Sequence, residues 1–379
     1  MTPVFRTFAL AAALLGVCAP WTAPASAAAS EDARPFVVTE VAKFNEPWAM
    51  AILPDGRMLV SEKSGHLQLF DPASKQHVEI GGVPQVSYGG QGGFGDVVLH
   101  PQYGQNGWVY LSYIEANTRK QRGAVVARAR LALDAEGAGK LAELQVLWRQ
   151  KPKTEGQGHY GHRIAFAPDG DLYISSGERQ EFDPAQDMHG NLGKVLRLRD
   201  DGSLPPDNPF AAQGGVAAQV WTLGHRNPLG IAFDAQGRLW EVEMGPRGGD
   251  ELNLIERGKN YGYPIVSDGD HYDGREIPDH ATRPEFARPW LTWTPVISPS
   301  SLLIYSGESF PDWRGDFLIS ALSGEALVRV RVEGDTAREV ARYPMGERIR
   351  SVRQGADGAL WLLEDGPGGR LLKLTPAAS

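Results

Sequence analysis

A short hairpin signature recurs along the chain and limits the folds that it can adopt. Each copy has an apolar run, a turn that ends in glycine, and a second run rich in strand-forming residues. Clear copies lie at 51–60, 164–173, 231–240 and 352–361. Asp-Gly between two such runs indicates a hairpin, because both residues tolerate positive φ.

Two weaker copies complete the series, so that six turns divide the chain. The turn glycines are Gly56, Gly107, Gly170, Gly237, Gly315 and Gly358. Between them we find no sustained helical period, except a short turn near residues 211–218. Six unequal units of four short strands predict an all-β fold, a six-bladed β-propeller of four-stranded antiparallel blades. A two-sheet sandwich is the alternative, but it rarely repeats one hairpin signature so often.

The first 27 residues have the pattern of a secretory signal peptide. Arg6 gives a positive start, residues 8–17 are apolar but too short to span a bilayer, and residues 25–27 form a small-residue cleavage site. A lipoprotein leader that uses Cys18 is the alternative, but the valine before it is larger than that processing site requires. We therefore predict a single propeller domain at 28–379, in the periplasm or outside the cell, with no transmembrane segment.

Two composition features restrict the mature chain further. Cys18 is the one cysteine of the sequence, so a mature exported chain must be stabilised by a large core instead of disulfides. The full chain carries 38 basic and 46 acidic residues, a net charge of −8, and removal of the leader with Arg6 makes it −9. This balance argues against nucleic acid as a partner, because nucleic-acid-binding proteins favour basic surfaces.

Two motifs flank the hairpin at 229–240. Residues 224–228 are Gly-His-Arg-Asn-Pro, and residues 243–252 are Glu-Met-Gly-Pro-Arg-Gly-Gly-Asp-Glu-Leu. In the first motif, Arg226 and Asn227 offer a cation beside an amide, and the second offers carboxylates, carbonyls and glycines. Together they suit an anionic cofactor and a calcium ion, whereas either motif alone could be ordinary turn chemistry.

Three other segments carry candidate site residues. His159 lies in a glycine-flanked loop, where we expect it to be accessible and able to act as a general base, although a lone loop histidine is more often simply solvated. Gln91 lies in the glycine loop 89–93, which lets a flat ligand approach the backbone or is a flexible turn. Arg348 and Arg350 alternate, so an extended backbone points both towards one side, where they could bind carboxylates.

A fourth segment is rich in oxygen ligands. Glu251 and Tyr261 are followed by Asp268 and Asp270. Such a loop could bind calcium, although it lacks the spacing of an EF-hand.

The order of these motifs resembles the soluble PQQ-dependent sugar dehydrogenases. It is most similar to the aldose sugar dehydrogenase branch, close kin of the soluble quinoprotein glucose dehydrogenase, and the resemblance runs from about residue 37 to 375. The motifs, in chain order, are the Gln91 loop, the His159 loop, Gly-Lys-Val-Leu-Arg-Leu at 193–198, Gly-His-Arg-Asn-Pro, Gly-Pro-Arg-Gly-Gly-Asp-Glu-Leu-Asn-Leu at 245–254, Asn-Tyr-Gly-Tyr-Pro at 260–264 and Arg-x-Arg at 348–350. No single motif is specific, but their combination is.

The resemblance implies a role for each matching residue in the reaction. His159 matches the base that takes a proton from the anomeric hydroxyl, while the C1 hydride of the sugar passes to C5 of the quinone. Arg226 and Asn227 match residues that contact the quinone oxygens. Arg348 and Arg350 match the arginines that hold the cofactor carboxylates.

The resemblance also implies two calcium sites and one further contact. The backbone carbonyls of Gly245 and Pro246 match ligands of a catalytic calcium ion that polarises the quinone. Glu251 and Tyr261 match ligands of a second, structural calcium ion, and Gln91 matches a contact to substrate or cofactor.

Three departures from the family pattern favour the broader aldose branch over a strict glucose dehydrogenase. Residues 320–323 contain no lysine where one is expected beside the cofactor, and Gly158 replaces an aspartate before the base. Residues 293–295 match only loosely.

The sequence thus predicts a periplasmic enzyme that oxidises aldoses to lactones with PQQ and calcium, and passes electrons to a quinone or dye acceptor. Two alternatives stay open. A calcium-dependent propeller lactonase or hydrolase would need several carboxylates around a central metal ion. A non-catalytic binding propeller would leave His159, Arg226, Asn227 and Arg348 without a role.

Overall fold

The computed structural model of the chain describes residues 34–134 and 139–378. The signal peptide predicted at 1–27 lies outside these residues. The described residues form 24 strands and a few short helical segments, so the prediction of an all-β fold is confirmed. None of the described helices is long and apolar enough to cross a membrane.

The strands are β1 (Phe36–Asn45), β2 (Pro47–Ile52), β3 (Met58–Glu62), β4 (His66–Phe70), β5 (His77–Gly81), β6 (Phe94–Leu99), β7 (Trp108–Ala116), β8 (Arg122–Leu133), β9 (Gly139–Arg149), β10 (Gly161–Phe166), β11 (Leu172–Ser176), β12 (Lys194–Leu198), β13 (Val220–Leu223), β14 (Pro228–Phe233), β15 (Leu239–Glu243), β16 (Asp250–Ile255), β17 (Leu291–Trp293), β18 (Pro299–Ile304), β19 (Phe317–Ala321), β20 (Ala326–Glu333), β21 (Thr336–Pro344), β22 (Ile349–Gln354), β23 (Leu360–Glu364) and β24 (Pro367–Pro376). The helical segments are α1 (Tyr103–Asn106) and the 3₁₀ turns Asp183–Ala185, Ala211–Gln213, Ala217–Gln219, His280–Thr282 and Pro311–Trp313.

Most strands pair with their neighbours in sequence. Three four-stranded antiparallel sheets contain β10 to β13, β14 to β17 and β18 to β21. An eight-stranded sheet consists of two antiparallel runs, β2 to β5 and β6 to β9, joined by short parallel pairing of β5 with β9. The last sheet has the order β1-β24-β23-β22, so the first strand completes the sheet of the last three.

The six turn glycines lie where the hairpin signature predicts them. Each falls in the connection between the first two strands of a four-stranded run. All six have positive φ, from 66° at Gly107 to 93° at Gly170. A side chain is strained in this backbone conformation, which explains why the signature ends in glycine.

The core is formed between sheets. In the described part of the chain, six hydrophobic clusters each join two successive runs of strands, and one of them joins the β22–β24 sheet back to β2 and β3. The strands β2, β6, β10, β14, β18 and β22 also contact one another in succession, and β22 contacts β2. The runs therefore follow one another around a closed ring, which excludes the two-sheet sandwich.

Candidate active site

One hairpin brings the two most informative motifs together. Strands β14 and β15 pair antiparallel with Pro228 opposite Glu243, so the residues before β14 and after β15 meet at one end of the sheet. Glu243 Oε2 accepts hydrogen bonds from the backbone N–H groups of Arg226 (2.6 Å) and Asn227 (3.2 Å). The Arg226 guanidinium in turn donates to the Gly245 carbonyl over 2.6 Å. The first motif is thus held against the second.

A cavity of about 410 Å³ opens where the first strands of several runs begin. This volume lies in the range of small-molecule sites. We call it the central cavity. Its lining residues are Glu46, Trp48, Lys63, Gly90, Gln91, Tyr160, Gly161, His162, Leu229, Met244, Ser298, Leu322, Arg348, Arg350, Asp365 and Gly366.

Both members of the arginine pair line this cavity, and they lie on one side of the segment, as the alternation predicts. Arg348 Nε and Arg350 Nε lie 3.0 and 2.9 Å from the two oxygens of Asp365, so both side chains point the same way. Asp365 forms an ion pair with each arginine, so neither is a lone cation. Lys63 is a third cation of the cavity and lies 3.4 Å from Glu46.

A second cavity of about 220 Å³ contains His159, Glu178, Arg226 and Pro246 together with aromatic residues. We call it the outer cavity. His159 is 6% exposed, so the expectation of an accessible loop histidine is wrong. Its Nδ1 is hydrogen-bonded to Glu178, and its backbone N–H donates to Gln91 Oε1 over 2.8 Å. The segments 159–162 and 226–229 contribute to both cavities.

The His159–Glu178 pair has the electrostatics of a base and its orienting acid. Burial lowers the pKa of His159, and the nearby Arg226 charge acts in the same direction against the opposing effect of Glu178. Burial is the largest single influence on the pKa of Glu178 and acts to raise it, but the hydrogen bond and charge of His159, the Phe182 N–H and the Arg226 charge together lower the pKa. A carboxylate beside a neutral imidazole assigns the proton to Nδ1 and leaves the Nε2 lone pair free to accept one.

His162, only three residues away, cannot take that role. Its ring stacks on Trp48, with 4.8 Å between centroids, and Nδ1 lies 2.8 Å from Ser112 Oγ. Complete burial lowers the pKa of His162 to about 3, with the Arg163 charge contributing. His162 is a packing residue of the cavity wall.

Backbone strain is concentrated around this pair of cavities. Of the eleven non-glycine residues with positive φ in residues 34–134 and 139–378, five lie between positions 159 and 182. They are His159, His162, Arg179, Gln180 and Phe182. Such conformations persist only where surrounding contacts impose them, and they cluster at functional sites.

Arg179 supplies many of those contacts. It is fully buried, its Nε donates to the Gly158 carbonyl over 2.8 Å, and its two terminal nitrogens donate to the carbonyls of Arg122 and Gly156. Its guanidinium carbon lies 3.7 Å from the centre of the Tyr160 ring. One cation thus fixes the loop that carries His159.

The residues at the two cavities fit the anionic cofactor that the resemblance implies. Arg226 Nε and Asn227 Oδ1 are buried atoms without a hydrogen-bond partner, which native proteins rarely leave unexplained. A guanidinium donor and an amide acceptor would both be satisfied by a polar ligand. Gly245 and Pro246 fit calcium less directly, because the Gly245 carbonyl already accepts from Arg226, although its second lone pair stays available.

Glu251 and Tyr261 do not fit a calcium ion as their surroundings stand. The Tyr261 carbonyl lies 3.0 Å from His280 Nε2, and Glu251 Oε1 lies 4.0 Å from His280 Nδ1. The imidazole therefore faces both oxygens, and it would have to move for one ion to bind the two. Neighbouring carboxylates raise the pKa of His280 to about 9 against the effect of its burial. The second calcium site stays a prediction.

Three residues of the site escape the motif analysis. Glu178 lies 19 positions after His159, Asp365 lies 15 positions after Arg350 at the other end of the β22–β23 hairpin, and Lys63 follows an ordinary strand. The position within the repeat could have indicated two of them, since Lys63 and Asp365 each directly follow the second strand of a run. That is the position from which Met244 also reaches the central cavity.

The chain is similar in sequence to known sugar dehydrogenases. The profile of the Glucose / Sorbosone dehydrogenase family matches residues 44–373. The aldose sugar dehydrogenase YliI of Escherichia coli (strain K12) is 37% identical over 342 residues, which cover 88% of this chain and 91% of that protein.

Two solved structures extend the similarity to the fold. A glucose dehydrogenase crystal structure has a TM-score of 0.85 at 39% identity, over 90% of this chain and 100% of that one. The PQQ-bound aldose sugar dehydrogenase from Streptomyces coelicolor has a TM-score of 0.72 at 30% identity, over 90% and 98% of the two chains.

Proposed function

Because the chain belongs to the glucose/sorbosone dehydrogenase family, we propose that it is a PQQ- and calcium-dependent aldose sugar dehydrogenase on a six-bladed β-propeller. In this proposal each run of four strands is one blade. The substrate is an aldose, which is oxidised at the C1 hydroxyl to a lactone. The single observation that carries the proposal is the buried His159–Glu178 pair beside a cation-lined cavity.

His159 is the base in this proposal. Glu178 accepts the Nδ1 proton and fixes the imidazole, so that Nε2 faces the outer cavity free to take the proton of the C1 hydroxyl. The low pKa of His159 keeps the ring neutral at neutral pH. Gln91 holds the His159 backbone through its N–H group and limits the movement of the loop.

The cofactor is held by the cations around the central cavity. Arg348, Arg350 and Lys63 offer charge to carboxylates, and Arg226 with Asn227 offers the unpartnered donor and acceptor. When bound, PQQ supplies the acceptor for the hydride of the sugar, and calcium at the Gly245 and Pro246 carbonyls makes that acceptor more electrophilic. In this proposal a quinone or dye would be the final electron acceptor.

The lactonase alternative lacks support from the charges of the central cavity. Among the residues that the structure describes, two carboxylates line it, and both are already close to cations, Asp365 to two arginines and Glu46 to Lys63. A hydrolytic metal centre needs several carboxylates that are free to bind it. We also propose that the enzyme works in the periplasm, on the strength of the signal-peptide pattern at 1–27.

The test of this function is reconstitution. We expect metal-free apoprotein to oxidise aldoses, followed by dye reduction, only after PQQ and calcium are both added. Apoprotein with PQQ but with chelator, and apoprotein with NAD, are the controls. Sugar oxidation with NAD and none with PQQ and calcium would sink the proposal.

A further inference from the structure

One buried residue breaks the repeat pattern of the fold. In each run of four strands, the first two strands form a hairpin. The residue of the second strand that pairs next to the turn is followed, two positions later, by a fully buried residue. Five runs have an aliphatic side chain there, and the β14–β17 sheet has Glu241. The five equivalent residues are Val60, Leu111, Ile174, Ile319 and Leu362. A carboxylate thus occupies a core position that is aliphatic in the other five runs. Its burial there needs a physical reason.

Glu241 is part of a buried polar group. Oxygen atoms of Glu241 and Glu243 and a ring nitrogen of His225 all lie within 4.8 Å of one another, and the three residues are buried. Asn253, opposite Glu241 on β16, donates from Nδ2 to Glu241 (3.1 Å) and to Glu251 (3.0 Å). Within the part of the chain that the structure describes, no lysine or arginine forms an ion pair with any of these three carboxylates.

Hydrogen bonding leaves two atoms of this group unsatisfied. Glu241 and Asn253 are both completely buried. Their acceptor atoms Glu241 Oε1 and Asn253 Oδ1 have no hydrogen-bond partner. Half a turn of the Asn253 amide exchanges its oxygen and nitrogen, so Oδ1 can face the carboxylates. Buried acceptors without donors are costly, whereas a cation would satisfy them together.

The histidine has the geometry of a ligand. His225 Nε2 lies 2.9 Å from Thr222 Oγ1, which fixes the ring and leaves Nδ1 towards Glu243. Nδ1 and Glu243 Oε1 are 3.3 Å apart, longer than an ordinary hydrogen bond. Two ligands of a tetrahedral metal ion with bonds of 2.0–2.1 Å are roughly 3.4 Å apart.

We propose that His225, Glu241 and Glu243 bind one buried divalent transition-metal ion of the zinc class, with the Asn253 amide oxygen as a fourth ligand. Two carboxylates balance the charge of the ion, and imidazole favours zinc over calcium. This site differs from the predicted calcium pair, because His225, Glu241 and Glu243 form it, whereas Glu251 Oε1 lies 4.0 Å from His280 Nδ1. The inference does not rest on the proposed function.

The metal would also support the candidate active site. Glu243 would bind the ion through Oε1, while its Oε2 holds the backbone N–H groups of Arg226 and Asn227. A fixed Glu243 therefore positions the segment that carries Asn227 and presents Arg226 to the outer cavity. Glu243 is a positioning residue in this arrangement.

The experiment measures zinc in the tag-free full chain after dialysis against zinc and desalting. We expect about one zinc ion per wild-type chain and less than a tenth of that in Glu241→Gln and Glu241→Leu. The matched control is Glu62→Gln, since Glu62 ends β3 as Glu243 ends β15 but lies outside the group. This control should keep the wild-type zinc content.

Thermal unfolding gives a second measurement. A zinc chelator should lower the melting temperature of the wild type and of Glu62→Gln, but leave that of Glu241→Leu unchanged. Circular dichroism shows whether Glu241→Leu, which restores the aliphatic residue of the other runs, folds normally. Zinc-free wild type, or equal zinc in wild type and both Glu241 variants, would overturn the proposal and leave Glu241 as a protonated buried acid.

Discussion

At the scale of single residues, the proposed chemistry depends on the orientation of His159. Its Nδ1 is engaged by Glu178 and its backbone N–H donates to Gln91, so among residues 34–134 and 139–378 no hydrogen-bond partner engages Nε2 of the ring. The side chain is enclosed yet lies in the wall of the outer cavity. In the proposed mechanism, a base placed in this way needs no movement of its own before it accepts a proton.

We expect His159→Gln to lower turnover with aldoses by about 10²- to 10⁴-fold, the usual contribution of a positioned base. PQQ affinity of the apoprotein should stay near the wild-type value, because the cations of the central cavity remain. Steady-state dye reduction and PQQ titration measure the two quantities. His189→Gln is the control, since the His189 side chain is 97% exposed. Equal rates for wild type and His159→Gln would assign the base elsewhere.

His162 should make the stability of the apoprotein depend on pH. Its pKa is about 3 in the folded protein, whereas an exposed histidine has a pKa of 6.5, so the unfolded chain binds the proton more readily between these limits. The contribution of the neutral His162 ring to the free energy of unfolding is fully present above pH 6.5. It falls as the pH drops towards 3, by about 1.4 kcal/mol per pH unit.

Urea unfolding at pH 7 and pH 5 tests this dependence. The loss between the two values should be smaller by about 2 kcal/mol in His162→Phe than in the wild type, because that variant has nothing to protonate at this position. An identical loss in both proteins would show that His162 does not carry the effect.

The candidate residues were predictable where their chemistry is local. Arg226 and Asn227 adjoin a strand that pairs with β15, so short motifs in sequence become neighbours through a single hairpin. The burial of His159 was not predictable, because it depends on Arg179 and Glu178, which reach its loop from a different segment. Flanking glycines suggested exposure, whereas they allow close approach of the backbone.

At the scale of elements, the turns and the start of β22 show the same difference between local features, which a sequence predicts, and contacts between distant segments, which it does not. Positive φ at Gly56 or Gly358 is a local requirement, so the sequence predicts these hairpins well. Alternation likewise predicts that Arg348 and Arg350 point the same way. Their partner Asp365 lies after β23, and only the pairing of β22 with β23 brings it to the arginines.

We expect Arg348→Gln combined with Arg350→Gln to weaken PQQ binding, with each charge-assisted contact contributing about 1.5–3 kcal/mol. The melting temperature of the apoprotein should also fall, because Asp365 loses both of its cationic partners. PQQ titration and thermal unfolding measure the two effects separately.

The control adds Asp365→Asn to the double variant. Removing the carboxylate that has lost its partners should reverse much of the decrease in melting temperature without restoring PQQ affinity. If the triple variant instead regained wild-type affinity, the arginines would act on the cofactor only through the fold.

At the scale of the whole molecule, stability depends on closing the ring. Strand β1 pairs with β24 along its length, from Phe36 opposite Pro376 to Asn45 opposite Pro367. The cluster that includes Trp361 then joins this sheet to β3. The sequence predicts the repeating units but not this closure, because strands more than 300 residues apart carry no mutual signal in one sequence.

Phe36→Ala should therefore destabilise the whole ring. Phe36 is 4% exposed and packs edge to face against Trp313 and Tyr343, so its truncation should cost about 3–5 kcal/mol of unfolding free energy. Val37→Ala, at a side chain that is 51% exposed on the same strand, should change it by less than about 0.5 kcal/mol. Urea unfolding followed by tryptophan fluorescence and by circular dichroism provides the measurement.

The coincidence of the two probes distinguishes closure from local packing. If β1 closes a cooperative ring, both probes should shift together in Phe36→Ala, since the sheets lose their support in one transition. A shift in fluorescence alone, with unchanged circular dichroism, would mean that the strand frays independently of the other sheets. The ring would then be held by the contacts between successive first strands, and pairing with β24 would contribute little to global stability.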